Sequence, residues 1–261
     1  MKELRVALIT GASSGIGEAF AHALAKQEMD LILVARSEDK LQLLAKQLAE
    51  LYSRRVEVVT ADLSLAGAAT KVYAATQALG MPVDLLVNNA GFGTFGAFYR
   101  QDAARERQEI LLNAAAVVDM SHAFLPSMVE RKRGGILNVA SLAAFQPLPY
   151  MAVYAATKAF VLSFSEALRN EVRKKGVTVT ALCPGPVDTP FFEATGNQQL
   201  RGTVPKATMM TADAVVAAGL KTFRAGKAVC VPGLGSKAMA FTGRHAPRGL
   251  MTAITAKVMG R

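Results

Sequence analysis

The sequence predicts an α/β fold, a doubly wound parallel sheet of seven strands with helices on both faces. Three observations predict it. Strand-length apolar runs alternate with helix-length amphipathic stretches along most of the 261 residues; the runs are apolar at nearly every position; and a glycine-rich turn joins the first run to the first helix. Strands apolar throughout are buried on both faces, and strict β-α alternation implies parallel strands joined by right-handed crossovers.

The strands read in order as 4–10 (LRVALIT), 31–36 (LILVAR), 56–61 (VEVVTA), 84–90 (DLLVNNA), 134–141 (GGILNVAS), 177–183 (VTVTALC) and 228–233 (AVCVPG). Helices are expected between them over 15–27, 38–52, 66–79, 105–131, 152–174 and 212–223. Two stretches break the regular alternation: a loop of about 184–210, which leaves the carboxyl end of the sixth strand, and the tail after Pro232. Ligands of open α/β sheets bind outside the carboxyl ends of the strands, so the loop is a candidate substrate lid. No Pro-, Gly- or Ser-rich linker divides the chain, which reads as one domain, 1–261, with a basic tail at about 237–261.

Composition narrows the class. With 51% hydrophobic and 19% charged residues and no repeat, the chain is neither disordered nor a solenoid. The first residues carry charge and then only a strand-length apolar run, and no uncharged apolar stretch reaches about 18 residues, so no signal peptide or spanning helix is expected. Cys183 and Cys230 fall in strands and are expected as buried thiols, which makes a cytoplasmic location the default. His22, His122 and His245 share no metal-ligand spacing, and no metal is expected.

The net charge of +10 sits at one end: residues 201–261 carry ten Lys and Arg against Asp213 alone. A basic end suits an anionic partner, whether a phosphorylated or carboxylated substrate, an acidic carrier or a lipid surface. No groove-reading motif points to nucleic acid.

Two constellations carry chemistry. Thr10-Gly11-Ala12-Ser13-Ser14-Gly15-Ile16-Gly17 follows the first strand and opens the first helix. Its glycines let backbone approach a pyrophosphate, and the helix N-terminus offers free N–H groups and a positive dipole, as Rossmann-type folds require. Tyr154 and Lys158 stand four residues apart, thirteen residues after Ser141. On a helix they share a face, and an ammonium beside the phenol is expected to lower its pKa toward neutrality, a shift that takes about 4 kcal/mol.

These features, taken in order, resemble the short-chain dehydrogenase/reductase family over essentially the whole chain to about Gly233. The Gly-x-x-x-Gly-x-Gly turn, Asn88-Asn89-Ala90-Gly91 after the fourth strand, the set Asn113, Ser141, Tyr154 and Lys158, and Pro184-Gly185 with Val187 and Thr189 all carry the resemblance. It implies that Tyr154 gives a proton to a carbonyl oxygen as hydride arrives from nicotinamide, and that Ser141 hydrogen-bonds that oxygen. Lys158 would lower the tyrosine pKa and bind the ribose, with Asn113 holding a water that refills the proton. The cofactor would lie along Gly11, Ser13, Ser14, Gly15, Ile16 and Gly17, with Asp62 and Leu63 at the adenine. Asn89, Ala90 and Gly91 would form its floor, and Pro184, Gly185, Val187 and Thr189 would hold the nicotinamide.

Cofactor choice is read at the end of the second strand. An acid there would select NAD by bonding the ribose 2′-OH, but the chain has Ala35 followed by Arg36. A guanidinium binds phosphate bidentately, and Ser13 or Ser14 can add a donor, so NADP(H) is expected.

Ala143, Phe145, Pro147, Leu148, Tyr150 and Met151, with Phe191 and Phe192 in the loop, predict an apolar pocket. The expected substrate is a hydrophobic ketone or secondary alcohol, such as a 3-ketoacyl thioester or a steroid-like compound. In the tail, Leu250, Ile254 and Val258 are four apart among basic residues, an amphipathic pattern suited to packing on its own or a neighbouring subunit, or to weak contact with a membrane surface. The resemblance also implies a homodimer or homotetramer. The alternative from another class, an NADP(H)-sensing protein with catalysis lost, is disfavoured by the intact set of four residues.

Overall fold

The computed structural model describes residues 4–195, 201 and 208–260. The parts of the expected lid at 196–200 and 202–207 lie outside the described residues.

Seven parallel strands form one sheet in the order β3-β2-β1-β4-β5-β6-β7. They are β1 (Val6–Thr10), β2 (Asp30–Ala35), β3 (Val56–Thr60), β4 (Leu85–Asn88), β5 (Gly134–Val139), β6 (Val177–Leu182) and β7 (Val229–Cys230). The helices are α1 (Gly15–Ala25), α2 (Glu38–Tyr52), α3 (Ala68–Ala78), α4 (Ala103–Ile110), α5 (Ala116–Glu130), α6 (Ala152–Val172), α7 (Phe191–Ala194), α8 (Ala212–Arg224), α9 (Leu234–His245) and α10 (Arg248–Met259).

Period-two alternation sorts the core into two layers. Ala7, Ile9, Leu31 and Leu33 point to one face, packing on Phe20 and Leu24 of α1, Leu41 and Leu48 of α2, and Val215 and Phe223 of α8. Val6, Leu8, Ile32 and Val34 point to the other, against Val72 of α3 and Met120, Phe124 and Met128 of α5. This is the two-sided burial that the uniformly apolar runs require.

Three elements differ from their sequence expectation. The single helix expected at 105–131 contains a π turn, Leu111–Ala115, centred on Asn113. By length and composition the whole segment Ala103–Glu130 could cross a membrane. Its apolar side is spent on the sheet instead, through Met120, Phe124 and Met128. The last strand is only two residues long, an edge that pairs with β6 through Ala181–Val229 and Leu182–Cys230. The tail forms two helices rather than one, since Pro247 lacks the N–H that would continue α9.

The strand order reverses between β1 and β4, which opens a crevice at their carboxyl ends. The opposite edge is fastened by Asp84, 1% exposed at its side chain. It accepts the Arg5 N–H at 2.9 Å and two nitrogens of Arg133 at 2.9–3.2 Å.

Candidate active site

Every described strand end on the crevice side feeds one cavity of about 1180 Å³. That exceeds the roughly 300–1,000 Å³ of an ordinary small-molecule pocket and leaves room for a dinucleotide and a second ligand. One end is the glycine-rich turn. Gly11 (φ +64) and Gly15 (φ +59) adopt left-handed backbone, and a Cβ at Gly17 would stand 2.1 Å from the Gly11 carbonyl oxygen. Only glycine fits this turn. Ser14 sits at the N-cap of α1 without a side-chain capping bond, which leaves first-turn N–H groups available to an anion.

Neighbouring segments lock the turn from two sides. The Thr10 hydroxyl accepts the Asn89 and Ala90 N–H groups at 2.9 and 3.0 Å, while the Asn89 amide donates to the Thr10 and Gly11 carbonyls at 2.9 and 3.2 Å. The Asn89 side chain therefore shapes the turn, and the cavity floor follows through Ala90 and Gly91. From above, Thr189 leans on Gly15, where a Cβ would meet it at 3.1 Å.

Ser13, Ser14, Ile16, Arg36, Asp62 and Leu63 line the same end. Asp62 accepts the Ser64 hydroxyl at 2.6 Å and its N–H at 3.0 Å. Burial pushes its carboxyl up, but these bonds and the Arg36 charge outweigh it and leave the pKa below the usual carboxylate value. Arg36 and two serines without an acid at the β2 end form a donor set that fits a 2′-phosphate. Ser37, an N-cap whose hydroxyl makes no capping bond, joins this lining and was not singled out from the sequence.

At the other end the four residues of the catalytic set converge. Tyr154 and Lys158 occupy the first two turns of α6. Ser141 ends the segment after β5, and its Oγ accepts the Ala143 N–H at 3.1 Å. Asn113 is fully buried in the π turn, where its amide grips Phe92: Nδ2 donates to the Phe92 carbonyl at 2.8 Å and Oδ1 accepts the Phe92 N–H at 3.1 Å. Gly91 must lack a side chain, because a Cβ would come within 2.8 Å of Asn113 Oδ1 and 3.4 Å of Lys158 Nζ.

One electrostatic expectation is corrected. Lys158 Nζ donates to the Val139 carbonyl at 2.9 Å and stands 5.8 Å from the Tyr154 ring centroid. Burial pushes the Tyr154 phenol up to about 12, opposed by the Ser141 hydrogen bond and reinforced by the Glu109 carboxylate. Burial also lowers Lys158 to about 8, with Glu109 opposing. Desolvation outweighs the Ser141 hydrogen bond, so the arrangement yields a protonated phenol rather than one tuned to neutrality.

The walls around Tyr154 are apolar. Phe191 lies 5.4 Å from its ring, and Phe192, Met151 and Ala143 pack with it alongside Leu148, Met209 and Met259. The loop carrying Phe191 is clasped at its base, where Val187 bridges Met210 and the Asp188 N–H donates to the Met210 carbonyl at 3.1 Å. The tail completes the wall. Met251, Ile254, Thr255, Val258 and Met259 of α10 line the cavity, and the Thr255 hydroxyl donates to the Pro147 carbonyl at 3.1 Å. Ser236 of α9 abuts Gly185, where a Cβ would sit 2.6 Å from its Oγ. The tail thus packs on its own subunit. Among the described residues Cys183 and Cys230 are both free and buried, as expected.

One cavity thus joins a glycine-rich turn suited to phosphate at one end to a tyrosine, a serine and a lysine at the other, the arrangement of a short-chain dehydrogenase. The chain belongs to the short-chain dehydrogenase family, whose model matches residues 5–200. A very-long-chain 3-oxoacyl-CoA reductase of Bos taurus is 35% identical over 182 residues, 68% of this chain and 58% of that protein. An inactive hydroxysteroid dehydrogenase-like protein 1 of Homo sapiens is 37% identical over 184 residues, 69% of this chain and 55% of that one. The chain therefore spans little more than half the length of these two relatives. A short-chain dehydrogenase from Sphingobium yanoikuyae in complex with NADPH is 34% identical, with a TM-score of 0.83 and 95% of both chains covered.

Proposed function

We propose that the protein is an NADP(H)-dependent reductase of apolar ketones, running in reverse as a secondary-alcohol dehydrogenase. The observation that carries this is the convergence of Ser141, Tyr154 and Lys158 on an apolar chamber of the same cavity that ends at Arg36. The glycine-rich turn and Arg36 would hold the phosphates, Val187 and Thr189 the nicotinamide end, and Lys158 the adjoining ribose. NADPH, when bound, supplies the hydride. Tyr154, held protonated by burial, gives its proton to the carbonyl oxygen, and Ser141 orients that oxygen by a hydrogen bond. Asn113 holds the loop beneath Lys158 through Phe92.

The substrate carries a long apolar group. Phe191, Phe192, Met209, Met251 and Val258 support this, as does the bovine relative's name, and a 3-oxoacyl thioester is the leading candidate. NADPH consumption against 3-oxoacyl thioesters, steroids and simple ketones tests it. Preference for the smallest ketones would count against an apolar chamber as the selecting element.

A contact with lipid follows from the rim. Leu234, Met239, Ile254 and Val258 line the cavity and are also 48–84% exposed, with Lys237, Arg244, Arg248 and Lys257 on the same two helices. This arrangement suits weak docking on an anionic bilayer. Sedimentation with anionic vesicles tests it; equal, negligible binding by wild type and by a variant lacking the four basic residues would end the idea. Self-association through the helices Ala103–Glu130 and Ala152–Val172 is the matching proposal for oligomeric state, and light scattering of the eluted protein decides between monomer and oligomer.

A further inference from the structure

Glu109 is a fully buried carboxyl outside the set of four residues. It lies on α4 four residues before Asn113, so both side chains face the loop that leaves β4. Asn113 grips Phe92. Glu109 grips Thr94, its Oε2 accepting the N–H at 3.0 Å and the hydroxyl at 2.8 Å. Between the two anchors lies Gly93, where a Cβ would stand 3.1 Å from the Tyr154 ring, and equally close to Met151 and Phe191. The loop is thus pinned on both sides of its contact with Tyr154. The second oxygen, Oε1, is buried and finds no hydrogen-bond partner among the described residues. Thr94 alone would be satisfied by an amide, so the clamp does not explain why a carboxyl stands here.

We propose that Glu109 is a positioning residue for the reaction, fixing the 92–94 loop against Tyr154 and setting, through its own protonation, the field felt by Tyr154 and Lys158. This rests on the reductase reading above. The ionisable groups facing it are Lys158 and Tyr154 from α6 and Glu106 from its own helix; Arg105 is turned aside, stacked 3.8 Å over the Phe92 ring. Burial raises the Glu109 carboxyl to about 7, with Thr94 and Lys158 opposing and Glu106 adding. When ionised, it disfavours tyrosinate and favours the Lys158 ammonium. Its charge therefore changes close to neutral pH.

The test compares Glu109→Gln, which keeps an acceptor for Thr94 but cannot ionise, with Glu109→Ala, which loses the clamp as well. NADPH-dependent ketone reduction is followed from pH 5.5 to about 9, and the carboxyl carbon of Glu109 is titrated by NMR in glutamate-labelled protein, assigned by its loss in the Gln variant. We expect a wild-type inflection near pH 7 in kcat, matched by the NMR midpoint and absent from Glu109→Gln. That variant should keep its KM for NADPH within about twofold, while Glu109→Ala loses about tenfold or more in kcat. Superimposable kcat profiles for wild type and Glu109→Gln, or a carboxyl midpoint near 4.5, would overturn the proposal. If wild type binds NADPH yet reduces no ketone at any pH, the reductase reading itself fails, and the role given to Glu109 fails with it.

Discussion

The Lys158 ammonium donates its 2.9 Å hydrogen bond to the Val139 carbonyl, at the end of β5. Lys158 is 5% exposed, and burial holds its pKa at about 8, below the usual 10.5. A depressed lysine contributes stability that is present above 10.5, where the neutral form is found in both states, and is lost as pH falls through 8. At pH 7 that cost is of the order of 3 kcal/mol. Lys158→Met removes it but leaves the Val139 carbonyl unpaired, a loss of about 1–3 kcal/mol. The expected outcome is a melting temperature unchanged or slightly raised at pH 7, with turnover reduced about 100-fold or more. Thermal unfolding and kinetics on the same samples check both halves.

In the proposed reaction Tyr154 is the acid, and Tyr154→Phe is expected to lower kcat by at least 1,000-fold with NADPH affinity retained. Its phenol, raised to about 12, is protonated throughout the neutral range, so only the oxidative direction needs a proton removed from it first. The alcohol-oxidation rate is therefore expected to climb with pH from 7 to 10, which initial rates at fixed saturation will show.

Arg36 follows Ala35, the position at the end of β2 where an acid would select NAD. Replacing it with alanine removes a charge-assisted contact worth about 1.5–3 kcal/mol, and the KM for NADPH is expected to rise about 10- to 100-fold with that for NADH little changed. Paired titrations with the two cofactors measure this.

Asp84 tests stability apart from chemistry, since it lies at the amino end of β4, across the sheet from the cavity. Asp84→Ala removes the buried carboxylate that the Arg133 guanidinium engages through two nitrogens, and a loss of about 2–4 kcal/mol is expected in chemical denaturation. Michaelis constants should not move.

The tail is predicted to select for apolar substrates. Val258 is 60% exposed at the cavity edge, so Val258→Asp does not threaten the core. It is expected to raise the KM of a long-chain ketone about fivefold or more and to leave a short one unaffected. A comparison of chain lengths checks it.

Much of this was legible in the sequence because it depends on local pattern. The alternating runs revealed the two-layer packing of Ala7 and Ile9 against Val6 and Leu8. The glycine turn was visible because a Cβ at Gly17 has nowhere to go. The candidate catalytic residues were visible through spacing and family resemblance; Ser141, Tyr154 and Lys158 line one end of the cavity, and Asn113 is buried behind the Phe92 loop beside them.

Less legible was whatever depends on desolvation or long-range contact. The spacing of Tyr154 and Lys158 suggested a lowered phenol, but much of the burial that raises it comes from Phe191 and Phe192, which reach the ring from a distant segment. Glu109 was not singled out in the sequence, because its burial depends on Thr94, fifteen residues earlier in the chain. The tail's amphipathic pattern was readable; its return over Pro147 and Tyr154's apolar cluster was not, because nothing local encodes that docking.

The central claim is that Tyr154 protonates a ketone held in the apolar end of an NADP(H) cavity. The most direct measurement is NADPH oxidation by wild type and Tyr154→Phe with a long-chain 3-oxoacyl thioester, alongside NADPH binding by both. The account predicts turnover by wild type, at least a 1,000-fold loss in the variant, and equal NADPH binding. Equal turnover by the two proteins, or wild type inert toward every ketone while NADPH still binds, would contradict it.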